Sequence, residues 1–319
     1  MEKELHVIFG AGQVGLPLAQ ALRAKGKRVR VVKRSAGGVP TGAELMQGDA
    51  ADAPFCHAAC AGAAAVYHCM NPAYSASLWQ ELVPRYMGNL ISAAGGVGAR
   101  LVVLDNLYML GRTGGKPMNE DTPSNPCSKK GEIRARVAER LFEMHRQGKV
   151  RAVCGRAADF YGPGGTQTFF GDYFWKPVLA GKAGMSPMNP DTPHTYHYIP
   201  DVALGLATLG CADENKLSGS PLWMLPCQPA VTTREMIHRF EPALGRDIPL
   251  NVMPRWLLNA LGLVVPMVRE IKEMAYQWDE PFIVDDSRFR AAFDVRPTAV
   301  EEAVRATLAW AKETYGSRK

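Results

Sequence analysis

Three glycines near the start of the chain are spaced for one task. They stand in the run Val7-Ile8-Phe9-Gly10-Ala11-Gly12-Gln13-Val14-Gly15, a Gly-x-Gly-x-x-Gly pattern after an apolar β-like stretch and before a helical one. At such a junction the first glycine permits a tight turn. The second lets backbone approach a pyrophosphate, and the third lets the helix pack close to the sheet. The helix N-terminus adds free N–H groups and the positive end of its dipole. Gly10, Ala11, Gly12, Gln13, Val14 and Gly15 are therefore candidate contacts of a dinucleotide, against the plainer reading of a structural turn. The next β-like run ends in Lys33-Arg34-Ser35, with no acid. A carboxylate there would bond the ribose hydroxyls of NAD and repel a 2′-phosphate, whereas a guanidinium would pair with that phosphate. Arg34 thus favours NADP(H) over NAD(H), unless Lys33 and Arg34 are simply exposed loop charges.

Two other groupings invite a metal reading and do not sustain it. Cys56 and Cys60 flank His57, yet the set completes no known zinc spacing. His194 and His197 are three apart in a strand-like run and would point to opposite faces, although His194 alone could line a cleft. No metal site is expected.

These residues need a frame to hold them. Nearly all-apolar β-like runs at 5–9, 28–32, 64–69, 100–104 and 150–154 alternate with helical stretches near 14–25, 75–95 and 129–147. That alternation predicts an α/β fold, a doubly wound parallel sheet with helices on both faces. After residue 160 the texture changes to Gly, Pro and aromatic residues. Residues 194–199 read as a strand, and Pro200 opens a helix running to Cys211. Thr232 with Glu235, and Thr298 with Glu301, have capping-box spacing. The first predicts a helix to about Leu244 closed by Gly245, and the second a last helix to about Tyr315. Met267, Ile271, Met274 and Trp278 stand at roughly helical spacing and read as core. We expect a Rossmann domain over residues 1–160 with returning elements near 194–225. Residues 161–319 would mainly form a smaller discontinuous lobe, where Tyr276 with Phe169, Phe170, Tyr173, Phe174 and Trp175 could wall a substrate pocket.

At 319 residues, with 47% hydrophobic and 21% charged, the chain excludes disordered, collagen-like and coiled-coil classes. There is no run of 18 apolar residues to span a membrane, and the charged start leads straight into a strand, unlike a signal peptide. The seven cysteines form no Cys-x-x-Cys pair and read as reduced thiols of a cytoplasmic protein. The net charge of +6 is compatible with a nucleic-acid surface, an anionic ligand or plain solubility. No basic patch interleaves with aromatics as in a nucleic-acid reader. Arg134, Arg136, Arg140 and Arg146 are broken by Glu132, Glu139 and Glu143, as on a solvated or dimer-facing helix. The expected partner is a small-molecule substrate, with no nucleic acid and no membrane, and a homodimer through helices 75–95 and 129–147 stays open.

Over nearly its whole length the sequence resembles the extended and atypical branches of the short-chain dehydrogenase/reductase superfamily, often labelled NAD-dependent epimerase/dehydratase. The resemblance rests on five segments in order: Gly48-Asp49-Ala50-Ala51-Asp52, Val66-Tyr67-His68-Cys69-Met70-Asn71, Arg156 through Gly164, Tyr198-Ile199-Pro200-Asp201-Val202-Ala203 and Pro297 through Trp310. It implies that Asp49, beside Ala50, bonds the adenine amino group. It also implies that Met70 and Asn71 pass the cofactor's ribose and pyrophosphate, and that Tyr161 lies beside the nicotinamide. The superfamily's catalytic Ser, Tyr and Lys are missing. Alignment places Asn106 at the serine, Lys130 at the tyrosine and Arg134 at the lysine.

Arg134 could still bond the nicotinamide ribose through its fixed fork, or be a solvated helix charge. Lys130, if partly buried, could serve as acid or base. Asn106 could bond a substrate carbonyl oxygen or cap its loop. Tyr108 and Tyr161 are alternative proton donors, provided that Lys130 or Arg134 supplies a neighbouring cation. The expected function is an NADP(H)-dependent oxidoreductase passing hydride to or from a small carbonyl or hydroxyl substrate. The alternatives are a sugar epimerase or dehydratase with a tightly held cofactor, and a non-catalytic NADP(H)-binding sensor.

Overall fold

A computed structural model describes residues 3–316 except 187 and 218. The strands are β1 (Leu5–Phe9), β2 (Arg28–Lys33), β3 (Glu44–Gln47), β4 (Ala63–His68), β5 (Arg100–Asp105), β6 (Arg151–Arg156), β7 (Asp159–Tyr161), β8 (Gly184–Ser186), β9 (Tyr196–Tyr198), β10 (Leu222–Met224) and β11 (Leu250–Val252). The helices are α1 (Gly15–Ala24), α2 (Ala53–Cys60), α3 (Ala76–Gly96), α4 (Lys129–Arg146), α5 (Asp172–Leu179), α6 (Ile199–Cys211), α7 (Glu214–Leu217), α8 (Thr233–His238), α9 (Glu241–Leu244), α10 (Arg255–Val264), α11 (Pro266–Glu273), α12 (Ser287–Phe293) and α13 (Val300–Tyr315).

Seven strands form one parallel sheet in the order β10-β6-β5-β4-β1-β2-β3. The period of two along each strand divides the core. Leu5, Val7 and Phe9 face one layer with Val66, Leu101, Val103, Ala152 and Cys154, under α2, α3 and α4. Ile8 faces the other with Ala65, Tyr67, Val102 and Val153, under α1, α6 and α12. A strand buried on both faces needs apolar residues at every position, which is why these runs read as continuous rather than alternating. On α1, Leu18 and Leu22 are fully buried, each stabilising by about 2 kcal/mol. The strand order reverses between β1 and β4, so the carboxyl ends of those strands open a crevice of the kind in which α/β sheets bind ligands.

The smaller lobe packs α5, α8 and α13 around Phe170, Phe174, Trp175 and Phe240. The expected aromatic wall is therefore mostly core: Phe170, Phe174 and Trp175 are buried among one another, and Tyr173 is 84% exposed. The expected helix from 232 to 244 is two helices, because Pro242 has no N–H to donate to the His238 carbonyl, so α8 ends there and the chain restarts as α9 with the proline in its first turn. The box at Thr232 forms as spaced. The box at Thr298 does not, because its hydroxyl and amide are drawn to Asp201 on α6 at 2.6 and 2.9 Å, and α13 starts after Ala299 without a side-chain cap. The 194–199 strand narrows to β9, paired with β7. Of Met267, Ile271, Met274 and Trp278, only Met274 and Trp278 are buried, and Met267 is 51% exposed. No described helix is long and apolar enough to cross a membrane.

Three buried histidines give the fold an acid limit. Burial pushes His6 and His197 down to about 4 and His68 to about 3, so all three are neutral in the native state. Unfolded histidine titrates near 6.5, so below that pH the unfolded chain binds protons that the native state refuses. Stability is complete above pH 6.5 and falls as the pH drops toward 4, by up to about 1.4 kcal/mol per pH unit for each histidine. Urea midpoints at pH 7, 6 and 5 should fall in that order, and a constant midpoint would contradict the assignment.

Candidate active site

The crevice begins at the phosphate turn between β1 and α1. Gly10 has φ +110°, and a Cβ on it would stand 2.7 Å from the Cys69 carbonyl oxygen at the end of β4. A Cβ on Gly15 would stand 1.8 Å from the carbonyl oxygen of Gly10, so that turn closes only around glycine. Gly12 is different. It is exposed, and a Cβ on it would meet nothing within 4 Å. The space in front of it is what an incoming pyrophosphate needs, while Gly10 and Gly15 hold the turn in shape. Val14 caps α1 without a side-chain bond, and the first turn carries no acid, so the amide end faces the crevice unopposed by a carboxylate. The turn fits a dinucleotide. Ala11 and Gln13 are half-buried along it, and Gln13 lies about 4.0 Å from where a Cβ on Gly164 would stand.

At the end of β2, Arg34 is exposed, its carbonyl held by Gln47 at 2.9 Å, and its guanidinium pairs with no carboxylate among the described residues. After β3, Asp49 turns one oxygen back to the Ala51 amide at 2.9 Å. Ala50 is buried, and its carbonyl accepts from Asn89 at 2.8 Å. After β4, the Met70 amide donates to His68 Nδ1 at 3.3 Å, and Asn71 Oδ1 accepts from Arg134 Nη2.

Arg134 is neither solvated nor loose. It is 3% exposed, lies 4.7 Å from the ring centre of Trp79, and reaches Asp105 at the end of β5 at 3.4 Å. Asp105 is buried too and lies 3.6 Å from Arg156 at the end of β6. The charges of three elements are thus locked at the carboxyl end of the sheet. The fork expected to greet a ribose is turned onto Asn71 and Asp105, because a buried guanidinium must be paired.

Lys130 departs furthest from expectation. Its side chain is wholly buried, and its ammonium pairs with Glu270 and with Glu273, the latter at 2.6 Å. It also sits 4.7 Å from the ring centre of Tyr74. The carboxylate of Glu273 accepts from the Lys130 amide as well, and that of Glu270 from the Ala76 amide at the start of α3. Full burial without carboxylates would have suited an acid or base, but an ammonium enclosed by two carboxylates clasps α4 to α11 instead. Tyr108 fares no better as an activated phenol. Burial pushes it up to about 12, helped by the charge of Asp159, and Arg134 offsets this only in part. Its hydroxyl is 3.5 Å from that of Tyr74, which burial also holds protonated. Tyr161 is buried in the lobe's aromatic cluster against Tyr198, and its phenol too is pushed up by burial. Asn106 accepts from the Tyr108 amide at 3.1 Å, capping its loop.

Neither metal candidate gathers ligands. His57 bonds Ser92 on α3 at 3.1 Å, and Cys56 and Cys60 are core. His194 and His197 part as expected, the first to Asp159 and the second to the Leu225 carbonyl.

The family model described as NAD dependent epimerase/dehydratase family matches residues 7–209, more than half of the chain. The chain belongs to that family. A search of curated proteins found none that matches. Among solved structures, a UDP-glucuronic acid 4-epimerase from Bacillus cereus in complex with NAD superposes with a TM-score of 0.78 at 16% identity, covering 98% of each chain. An L-threonine dehydrogenase from Cupriavidus necator superposes at 0.79 and 18% identity, covering 96% of this chain and 99% of that one. Another from Clostridium difficile gives 0.78 at 16%, covering 99% of each. At these identities the likeness is one of fold.

Within this epimerase/dehydratase member, several crevice residues have no signal in the local sequence. Glu270 and Glu273 act on a lysine 140 and 143 residues earlier in the chain. Trp79 on α3 and Tyr74 just before it stand in no motif. Asp105 has one signal, as the acid closing an apolar strand, and Asp159 has none beyond its place in the Arg156–Gly164 segment.

Proposed function

We propose that this epimerase/dehydratase family member is an NADP(H)-dependent oxidoreductase acting on a small carbonyl or hydroxyl compound. The observation that carries the reading is the end of β2, where Arg34 is exposed and uncommitted and no acid replaces it. The amides of the 10–15 turn would hold the pyrophosphate, Arg34 the 2′-phosphate and Asp49 the adenine. The cofactor supplies a hydride donor or acceptor, and the protein supplies orientation and charge around it. A sugar epimerase with a resident cofactor would need an acid/base pair at positions 130 and 134, and both side chains are engaged in ion pairs. The same pairs favour one second reading, a non-catalytic NADP(H) sensor, which turnover on any carbonyl compound would exclude.

Calorimetry tests the cofactor assignment. NADPH should bind at least about tenfold tighter than NADH, a difference of about 1.4 kcal/mol. Arg34→Ala should erase most of that difference. Equal affinities in the unaltered protein would refute the NADP(H) preference.

A further inference from the structure

We propose that Asp159 is the acid/base of this site and that His194 positions it. The proposal rests on the oxidoreductase reading and supplies the proton-handling group that Lys130, Tyr108 and Tyr161 do not provide.

Three loops leave the carboxyl ends of adjacent strands and meet here. Tyr74 follows β4, Tyr108 follows β5, and Asp159 follows β6, three residues after Arg156. The Ala157 amide donates to the Asp105 carbonyl at 3.1 Å, which keeps the start of this loop against the end of β5. Burial raises the phenols of both tyrosines, and the charge of Asp159 adds to it. Its side chain is 31% exposed, so the carboxylate reaches solvent at the carboxyl ends of these strands. Behind it stands His194, 0% exposed, with Nε2 at 2.7 Å from Asp159 Oδ2.

The imidazole cannot move. Its ring stacks between Trp278, at 4.5 Å and 7°, and Phe282, at 5.0 Å and 16°. Its backbone exchanges hydrogen bonds with Val231, at 2.9 and 3.1 Å. Nδ1 is buried and has no hydrogen-bond partner, so a proton there would be an unsatisfied donor among aromatic rings. The proton of the neutral ring therefore belongs on Nε2, donated to Asp159. One carboxylate oxygen is thereby fixed, and the other is left for a ligand in the crevice. A buried, aromatic-flanked histidine with one bond to a half-exposed carboxylate is an orienting group.

In the oxidising direction the alcohol O–H bond breaks and its proton passes to Asp159. The O–H electron pair becomes the new C=O bond. The C–H pair would leave as hydride, and the oxidised nicotinamide cofactor, when bound, would be its acceptor. Asp159 then releases the proton to water through its exposed face. Reduction of a carbonyl reverses each transfer, with Asp159 donating the proton to the substrate oxygen.

The test is NADPH oxidation by the full-length protein with a panel of simple aldehydes and ketones, 4-nitrobenzaldehyde among them. It is read together with NADPH affinity and with the NMR spectrum of 15N-histidine-labelled protein. The unaltered protein should turn over at least one probe. Asp159→Asn should lower kcat by about 100-fold or more while the NADPH Kd stays within about threefold, which also certifies the fold. His194→Phe should lower kcat about tenfold with KM little changed, and His194→Gln, whose amide can still donate to Asp159, should recover most of it. The His194 ring should carry its proton on Nε2, in a strongly downfield correlation that Asp159→Asn abolishes. Asp159→Asn with kcat within threefold of the parent overturns the proposal while leaving the oxidoreductase reading intact. A parent protein that binds NADPH but turns over no probe overturns the oxidoreductase reading, and the acid/base role falls with it.

Discussion

Gly12→Val should leave the melting temperature within a degree or two and lower dinucleotide affinity at least about 100-fold. The two halves of that expectation come from different facts. The fold tolerates the change because a Cβ at position 12 meets nothing within 4 Å and the backbone there does not need positive φ. The ligand does not tolerate it, because the same empty space is where a pyrophosphate must touch backbone amides. Gly15→Val is the control of opposite character. Its Cβ would fall 1.8 Å from the Gly10 carbonyl oxygen, so it should lose binding and stability together. Fluorescence titration with NADPH and a thermal melt on each variant separate the cases. Retained binding in Gly12→Val would remove the turn from the site.

Lys130→Met should destabilise the protein by about 3 kcal/mol or more, measured by urea unfolding. The lysine is fully buried, and its two carboxylate partners are each about one-fifth exposed, so truncation strands two negative charges in a poorly solvated place. Adding Glu270→Gln and Glu273→Gln to Lys130→Met should restore much of the loss, because removing every member of a buried ion cluster costs less than removing one. A lysine serving as proton donor predicts the reverse pattern, lost turnover at unchanged stability. A Lys130→Met midpoint equal to that of the parent would eliminate the clasp.

The dinucleotide half was legible because its rules are local. A strand buried on both faces shows itself as a short apolar run, and a glycine that closes a turn shows itself in its neighbours. Leu5–Phe9 and the glycines Gly10 and Gly15 belong to that kind. Position 130 was legible as a place and not as a role. Its identity departs from the superfamily's tyrosine in plain sight, but what the lysine does is decided by Glu270 and Glu273 on another helix. Thr298 failed for the same reason in miniature, since a capping residue bonds its helix only when nothing nearer competes, and Asp201 competes. Likewise, no spacing rule joins Asp159 to His194. They lie 35 residues apart, and only the pairing of β7 with β9 makes them neighbours.

The Lys130 clasp also bears on the order in which the chain can mature. Its partners are 140 and 143 residues apart, so closing it is among the more distant contacts of the chain and comes after the local pairing of β1 to β6. Until α11 has been synthesised and docked, α4 carries an ammonium without the two carboxylates that enclose it in the folded chain. Burial of that ammonium thus depends on the last third of the chain, and the first two thirds made alone would leave it to water.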